Sequence, residues 1–210
     1  MILNNKHSIV EVVSIDKDIL KGIGYFDYSK ELLIINWREI LITKIYNLIS
    51  ILPLEKVILK VSGSTNSFTD FFKGFEKVEI IRRIFGEKTE DVLRSLKVEF
   101  TWIGGYMWVN GSNGHLIVNS RYLKNGDRLD IYLDVIHELA HIKQLMEGKE
   151  LFDRNYKYVE RPTEIEAYQY AVTEAKRLKL NDERICRYLK TEWMSNEDLK
   201  QLARNLNINC

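Results

Sequence analysis

"VIHELAHIKQ", residues Val135 to Gln144, decides the reading of this chain. It sets His137 and His141 four residues apart, with Glu138 directly after the first histidine. On an α-helix, residues i and i+4 lie one turn apart on the same face. Two imidazoles so placed converge on one ion at about 2.0–2.1 Å each, which suits zinc. Glu138 lies roughly 100° further round the helix, where its carboxylate flanks the ion without ligating it. From there it can take a proton from metal-activated water and later deliver it to a leaving amine. This geometry fits peptide-bond hydrolysis.

The flanking residues support the helix. "KNGDRLD" supplies turn chemistry and first-turn acids, and Gly148 is a stop just after Glu147. Ile131, Val135, Ile136, Leu139, Ile142, Leu145 and Met146 form the expected apolar face, leaving one flank for the histidines. A loop of about twenty residues follows, and loops of that length tend to be functional. Pro162 then opens a second helix, "PTEIEAYQYAVTEAKRLK".

Two histidines do not complete a catalytic zinc site, which normally takes three protein ligands and a water. No histidine follows His141, so the third ligand is expected to be a carboxylate. The second helix offers Glu164 and Glu166. These stand about 200° apart on a helix, so only one of them can face the ion.

"HELAH", followed after a loop by "EIEAYQYA", resembles the gluzincin branch of zinc metallopeptidases. In that branch a glutamate from a second helix is the third ligand. The chain is most similar to the compact ImmA/IrrE-type metallopeptidases, whose second motif runs Glu-x-x-Ala-Asn/Asp-x-Phe-Ala. Glu164, Ala167 and Ala171 match that motif, with Tyr170 at the aromatic position. The resemblance implies a zincin-like core, Zn2+ held by His137, His141 and Glu164, and Glu138 as general base. Glu166 is the alternative ligand. Tyr168 stands where the motif has Asn or Asp, so a contact that would orient a histidine must come from elsewhere.

Other residues near the motifs offer further roles. Asp134 precedes His137 by three and reads as a solvated first-turn acid, and His115 as a surface histidine. Tyr156, Tyr158, Arg161 and Tyr168 are candidates to polarise a scissile carbonyl. By analogy with zincins, the strand "HLIVN" is expected to receive a peptide through backbone hydrogen bonds.

The rest of the chain sets the context. With 210 residues, 45% of them hydrophobic, it has material for one generous domain or a core with a small partner. Thirty-one basic residues balance thirty acidic ones, so nothing demands nucleic acid as a partner, and no recognition helix follows "NEDLKQLARNLNIN". The expected partner is a protein or peptide substrate. No apolar run is long enough for a bilayer, and the N-terminus lacks the pattern of a signal peptide. Cys186 and Cys210 make no metal-ligand spacing or disulfide framework, which points to a reducing, cytoplasmic setting.

The expected architecture is α+β. Residues 1–61 read as an α/β segment, with strand "SIVEVVSI", hairpin "GYFDYSKELLIINW", helix "REILITKIYNLISIL" and strand "KVILKV". Residues 62–180 form the metallopeptidase core, and 181–210 a helical extension, "DERICRYL" and "NEDLKQLARNL". Residues 68–97 read as two helices divided at Gly86, burying Phe71, Phe72, Phe75, Val78 and Ile81. "KVEFTW", "GYMWVN" and "HLIVN" read as strands, the last two joined at "NGSNG". The alternative to a peptidase is a non-catalytic binding or regulatory protein on the same fold.

Overall fold

The computed structural model describes residues 65–210. The elements expected within 1–61 lie outside the described residues. The remainder is a mixed α+β structure, a small four-stranded sheet with helices around one long central helix.

Strand β1 (Thr65–Ser67) pairs antiparallel with β2 (Lys97–Thr101). β2 runs parallel to β4 (Leu116–Asn119), and β3 (Met107–Val109) closes the order β1-β2-β4-β3 antiparallel to β4. β2 alternates, burying Val98 and Phe100 while Lys97 stays exposed. β4 is buried at every position, as a strand paired on both sides requires. That overturns the expected role of "HLIVN": its backbone groups are consumed by β2 and β3. Among the described residues the strands with a partner on one side only are β1 and β3, and β3, "MWV", is the one next to β4.

Between β1 and β2 the chain forms α1 (Phe68–Phe71), α2 (Glu79–Phe85) and α3 (Thr89–Ser95). The expected first helix is broken because Gly74 takes a left-handed conformation, φ 88°, and starts a 3-10 turn. Gly86 ends α2 as expected. Phe71, Phe72, Phe75, Val78 and Ile81 are all buried. Phe75 is enclosed by the rings of Phe68, Phe72 and Tyr132. Phe75→Ala leaves a ring-sized void and costs about 3–5 kcal/mol, measurable by urea unfolding.

After β4 come α4 (Ser120–Asn125) and the central helix α5 (Arg128–Met146). The Asp127 side chain caps α5, accepting from the amides of Leu129 and Asp130. At the far end Gly148, at φ 75°, donates its N–H to the Leu145 carbonyl, and Lys149 donates to Gln144. Rather than one apolar stripe, α5 is buried nearly all round; Tyr132, Leu133, Val135, Ile136, Leu139 and Ala140 are fully inaccessible. Met146, expected in the core, is 57% exposed, because it lies in the last turn beyond the sheet-facing part.

The loop spans 147–161, somewhat shorter than expected, with a 3-10 turn at Tyr158–Glu160. Then α6 (Pro162–Arg177) starts with proline at its first position and packs along α5. The Tyr132 hydroxyl donates to Glu174, which Arg177 grips with two 2.7 Å bonds. Helices α7 (Asp182–Leu189) and α8 (Asn196–Asn205) bury Ile185, Leu189 and Leu202 in the same apolar cluster as α5.

A disulfide joins Cys186 on α7 to Cys210. This corrects the expectation of two unpaired thiols and removes that argument for a reducing compartment. Among the described residues no helix is long and apolar enough to cross a membrane.

Candidate metal centre

Successive turns of α5 place His137 and His141 on the flank that faces the start of α6, where Glu164 sits in the first turn. Their Nε2 atoms are 2.9 Å apart. Glu164 Oε2 lies 3.3 Å from His137 Nε2 and 3.4 Å from His141 Nε2. Donors around a tetrahedral ion with bonds of about 2.0–2.1 Å stand roughly 3.3–3.4 Å apart. All three residues are buried and form a group that could hold a metal ion. Glu164 Oε2 is itself inaccessible and satisfied by no hydrogen bond, although two imidazole nitrogens lie so close. An orphaned carboxylate oxygen facing two ring nitrogens is costly without a cation and ordinary around one.

Each ligand has its own support. Arg161 Nη1 lies 3.4 Å from Glu164 Oε1, leaving Oε2 for the imidazoles. His141 Nδ1 donates to Gln144 Oε1 at 2.7 Å, which leaves its Nε2 lone pair directed at the site. Gln144, fully buried, donates onward to the Thr163 carbonyl and to Glu166 Oε2. One side chain thus orients a histidine and ties α5 to the turn that carries Glu164. Sequence reasoning missed Gln144; its signal was the spacing of three from His141, on the same helix face. Gln144→Ala should weaken zinc binding by about 10–100-fold in a competition titration against a chelating dye.

His137 is held differently. Its Nδ1 is buried without a hydrogen-bond partner, and the Tyr168 ring packs on the imidazole at 4.3 Å. An aromatic wall, rather than a hydrogen bond, thus flanks this imidazole. Tyr168 in turn meets the Tyr158 hydroxyl at 3.0 Å.

Glu166 points away from this cluster. Its carboxylate is engaged by Lys149 at 2.8 Å, Lys143 at 3.3 Å and Gln144 at 3.0 Å. Glu164 alone of the two glutamates joins the histidines.

Burial pushes Glu138 up to about 8, with the Glu164 and Asp134 charges adding to that and His141 opposing it. Glu138 Oε2 has no hydrogen-bond partner. Burial also lowers His137. For His141 burial works against charge, but Glu164 and then Glu138 outweigh it and raise it to about 9. Burial disfavours the Glu164 charge as well, yet the two histidines hold its carboxyl well below the usual range. The neighbouring carboxylates thus favour the charged form of His141, whereas ligation of a cation requires the neutral one.

Two cavities meet at these residues. One of about 160 Å³ is lined by Val109, His137, Glu138, His141, Tyr158 and Glu164, among others. A larger one of about 740 Å³ runs past His137 and Glu138 along Tyr106, Met107 and Trp108. Of the four candidate electrophiles, Tyr158 lines both. Tyr156 is exposed, Arg161 is turned onto Glu164 and the Asp153 carbonyl, and Tyr168 supports His137.

Asp134 and His115 differ from expectation. His115 is half-buried and pairs with Glu99. Asp134 is no solvated acid: it lines the larger cavity, half-buried, and accepts a 2.5 Å hydrogen bond from the Tyr122 hydroxyl. Burial pushes its carboxyl up from 3.8 to about 7, against the Tyr122 hydrogen bond and with help from the Asp130 charge. A folded-state value above the unfolded one gives stability that is full below about pH 4 and lost as pH rises through 7. Between pH 4 and pH 8, metal-free wild type should lose on the order of 2–4 kcal/mol relative to Asp134→Asn in urea unfolding.

No protein-family profile, curated protein or solved structure matches the chain.

Proposed function

We propose that this chain is a zinc-dependent metallopeptidase with a zincin-like core, of the gluzincin type and akin to the ImmA/IrrE-like enzymes. The observation that carries the reading is the meeting of His137, His141 and Glu164 on one buried point, beside Glu138, whose Oε2 meets no hydrogen-bond donor, and an open cleft. Two imidazoles and a carboxylate with a free approach are the donor set of a catalytic rather than a structural zinc site. A zinc ion there would polarise a carbonyl and lower the pKa of water.

The chain's own groups supply the rest. Glu138 sits where it can take the proton of an attacking water and return it to the departing amine. Its raised affinity for protons suits that exchange near neutral pH. Tyr158, on the cleft wall, can donate its hydroxyl to the oxygen on which negative charge develops.

Strand β3 is the substrate platform in this reading. The Tyr106 carbonyl accepts from the Asn119 N–H, and the Asn110 N–H donates to the His115 carbonyl, both on the β4 side. By the alternation of antiparallel pairing, Met107 and Val109 then turn their N–H and C=O groups to the free edge. A peptide laid along that edge passes Glu138, which lies against the Val109 backbone. Affinity would come from the main chain, with little demand on sequence except at side-chain pockets.

The test is a peptide library incubated with zinc-loaded protein, with chelated protein and with protein reloaded after chelation. Cleavage lost with zinc and regained on reloading is the expected result. Stoichiometric zinc with no cleavage in any sample would favour the non-catalytic binding protein.

A further inference from the structure

The cavity of about 740 Å³ is larger than the metal centre needs, and its far side carries chemistry that hydrolysis does not use. Asp134 stands there, three residues before His137 on α5, about 4.5 Å further along the helix axis. Among the described residues, no cation pairs with it. Its neighbour Asp130, by contrast, is held by Arg184 at 2.6 Å, and Arg184 also reaches Asp127. The Tyr122 hydroxyl donates to Asp134 from one side. The Tyr188 hydroxyl faces the same carboxylate from α7, on a side chain only 8% exposed, with no hydrogen bond of good geometry. Thr191 Oγ1 also lines the cavity, buried and unpartnered.

The walls are aromatic. Tyr106 and Tyr122 pack ring to ring at 4.7 Å, and Trp193 is 62% exposed at the mouth. Three cations also line the space, and none of them meets Asp134. Lys190 Nζ donates to the Met194 carbonyl and to Asn196; Arg187 leans towards Glu183; Arg121 is exposed. The cavity therefore has an anionic base, phenolic walls and a rim of cations already engaged or solvated.

We infer that this cavity is a specificity pocket for a basic side chain, lysine or arginine, flanking the bond to be cut. The inference rests on the peptidase reading of the metal centre. An acidic side chain would meet an unpaired carboxylate, and an apolar one would cover Asp134 and the Tyr188 hydroxyl without bonding either. A cation satisfies the carboxylate and gains from the aromatic faces. The offset of one turn between Asp134 and His137 is within reach of a four-carbon stem whose backbone lies at the metal.

Peptide hydroxamates, which anchor on zinc, test this without knowledge of the natural substrate. Three such compounds, with lysine, norleucine or glutamate beside the hydroxamate, are titrated calorimetrically into the zinc-loaded 210-residue chain at pH 8. The lysine compound should bind about 10-fold tighter than norleucine, and the glutamate compound weakest. Asp134→Asn should bring the lysine-to-norleucine ratio to about 1–2. Equal affinity for lysine and norleucine in the wild type, with binding that still needs zinc, would overturn the pocket and leave the peptidase reading intact. No zinc-dependent binding of any of the three would overturn both. The wild-type comparison stands even if Asp134→Asn fails to fold.

Discussion

Glu138→Gln should keep zinc in place and lower peptide cleavage by about 10²–10⁴-fold, the usual worth of a positioned base. The substitution is isosteric and leaves His137, His141 and Glu164 untouched. In the proposed reaction it removes the group that carries a proton from water to the amine. It should also stabilise the fold. Glu138 is buried, its Oε2 meets no hydrogen-bond donor, and burial already pushes its carboxyl up to about 8. A neutral amide relieves that desolvation, so the melting temperature of the metal-free variant should rise above wild type at pH 9 while activity falls. Opposite movement of stability and turnover marks a residue kept for chemistry. Loss of both together would mark Glu138 as a packing residue and count against the peptidase reading.

The second large effect is on the metal itself. Glu164→Ala should weaken zinc binding by more than about 100-fold, beyond the usual effect of removing a supporting residue. Glu166→Ala should weaken it far less, because Glu166 touches the site only through Gln144. Competition against a chelator of known affinity reads both. The contrast between two glutamates two positions apart separates ligation from a general loss of helix charge, since both lie near the start of α6. Equal losses would mean that Glu164 acts only through the helix.

Much of the centre was legible in the sequence, because the α-helix has a fixed period. Spacing of four brought His137 and His141 together, and the 200° between Glu164 and Glu166 left one carboxylate for the ion. The helix period alone left the choice between those two open, and only the resemblance to the second motif put Glu164 first. That choice depends on Gln144, Lys143 and Lys149 engaging Glu166 across the gap between α5 and α6, and such tertiary contacts leave no period in the chain. The boundaries of α5 were readable from Asp127 and Gly148, whose roles are local.

Strand order was the least legible part. "GYMWVN" and "HLIVN" both read as strands, and nothing in either says which lies inside the sheet. The four buried positions of β4 follow from parallel pairing with β2, a long-range choice. The peptide platform therefore had to move from β4 to β3. Asp134 was misread for a similar reason: Tyr122, which donates to it, and Tyr188, which faces it, come from α4 and α7. The Cys186–Cys210 link likewise depends on the chain end returning to α7.

The most direct test is diffraction at the zinc absorption edge from crystals of the zinc-loaded protein. The account predicts one strong anomalous peak within bonding distance, about 2.0–2.2 Å, of His137 Nε2, His141 Nε2 and Glu164 Oε2. A zinc-loaded crystal with no peak at that point, or with its peak at other side chains, would contradict it.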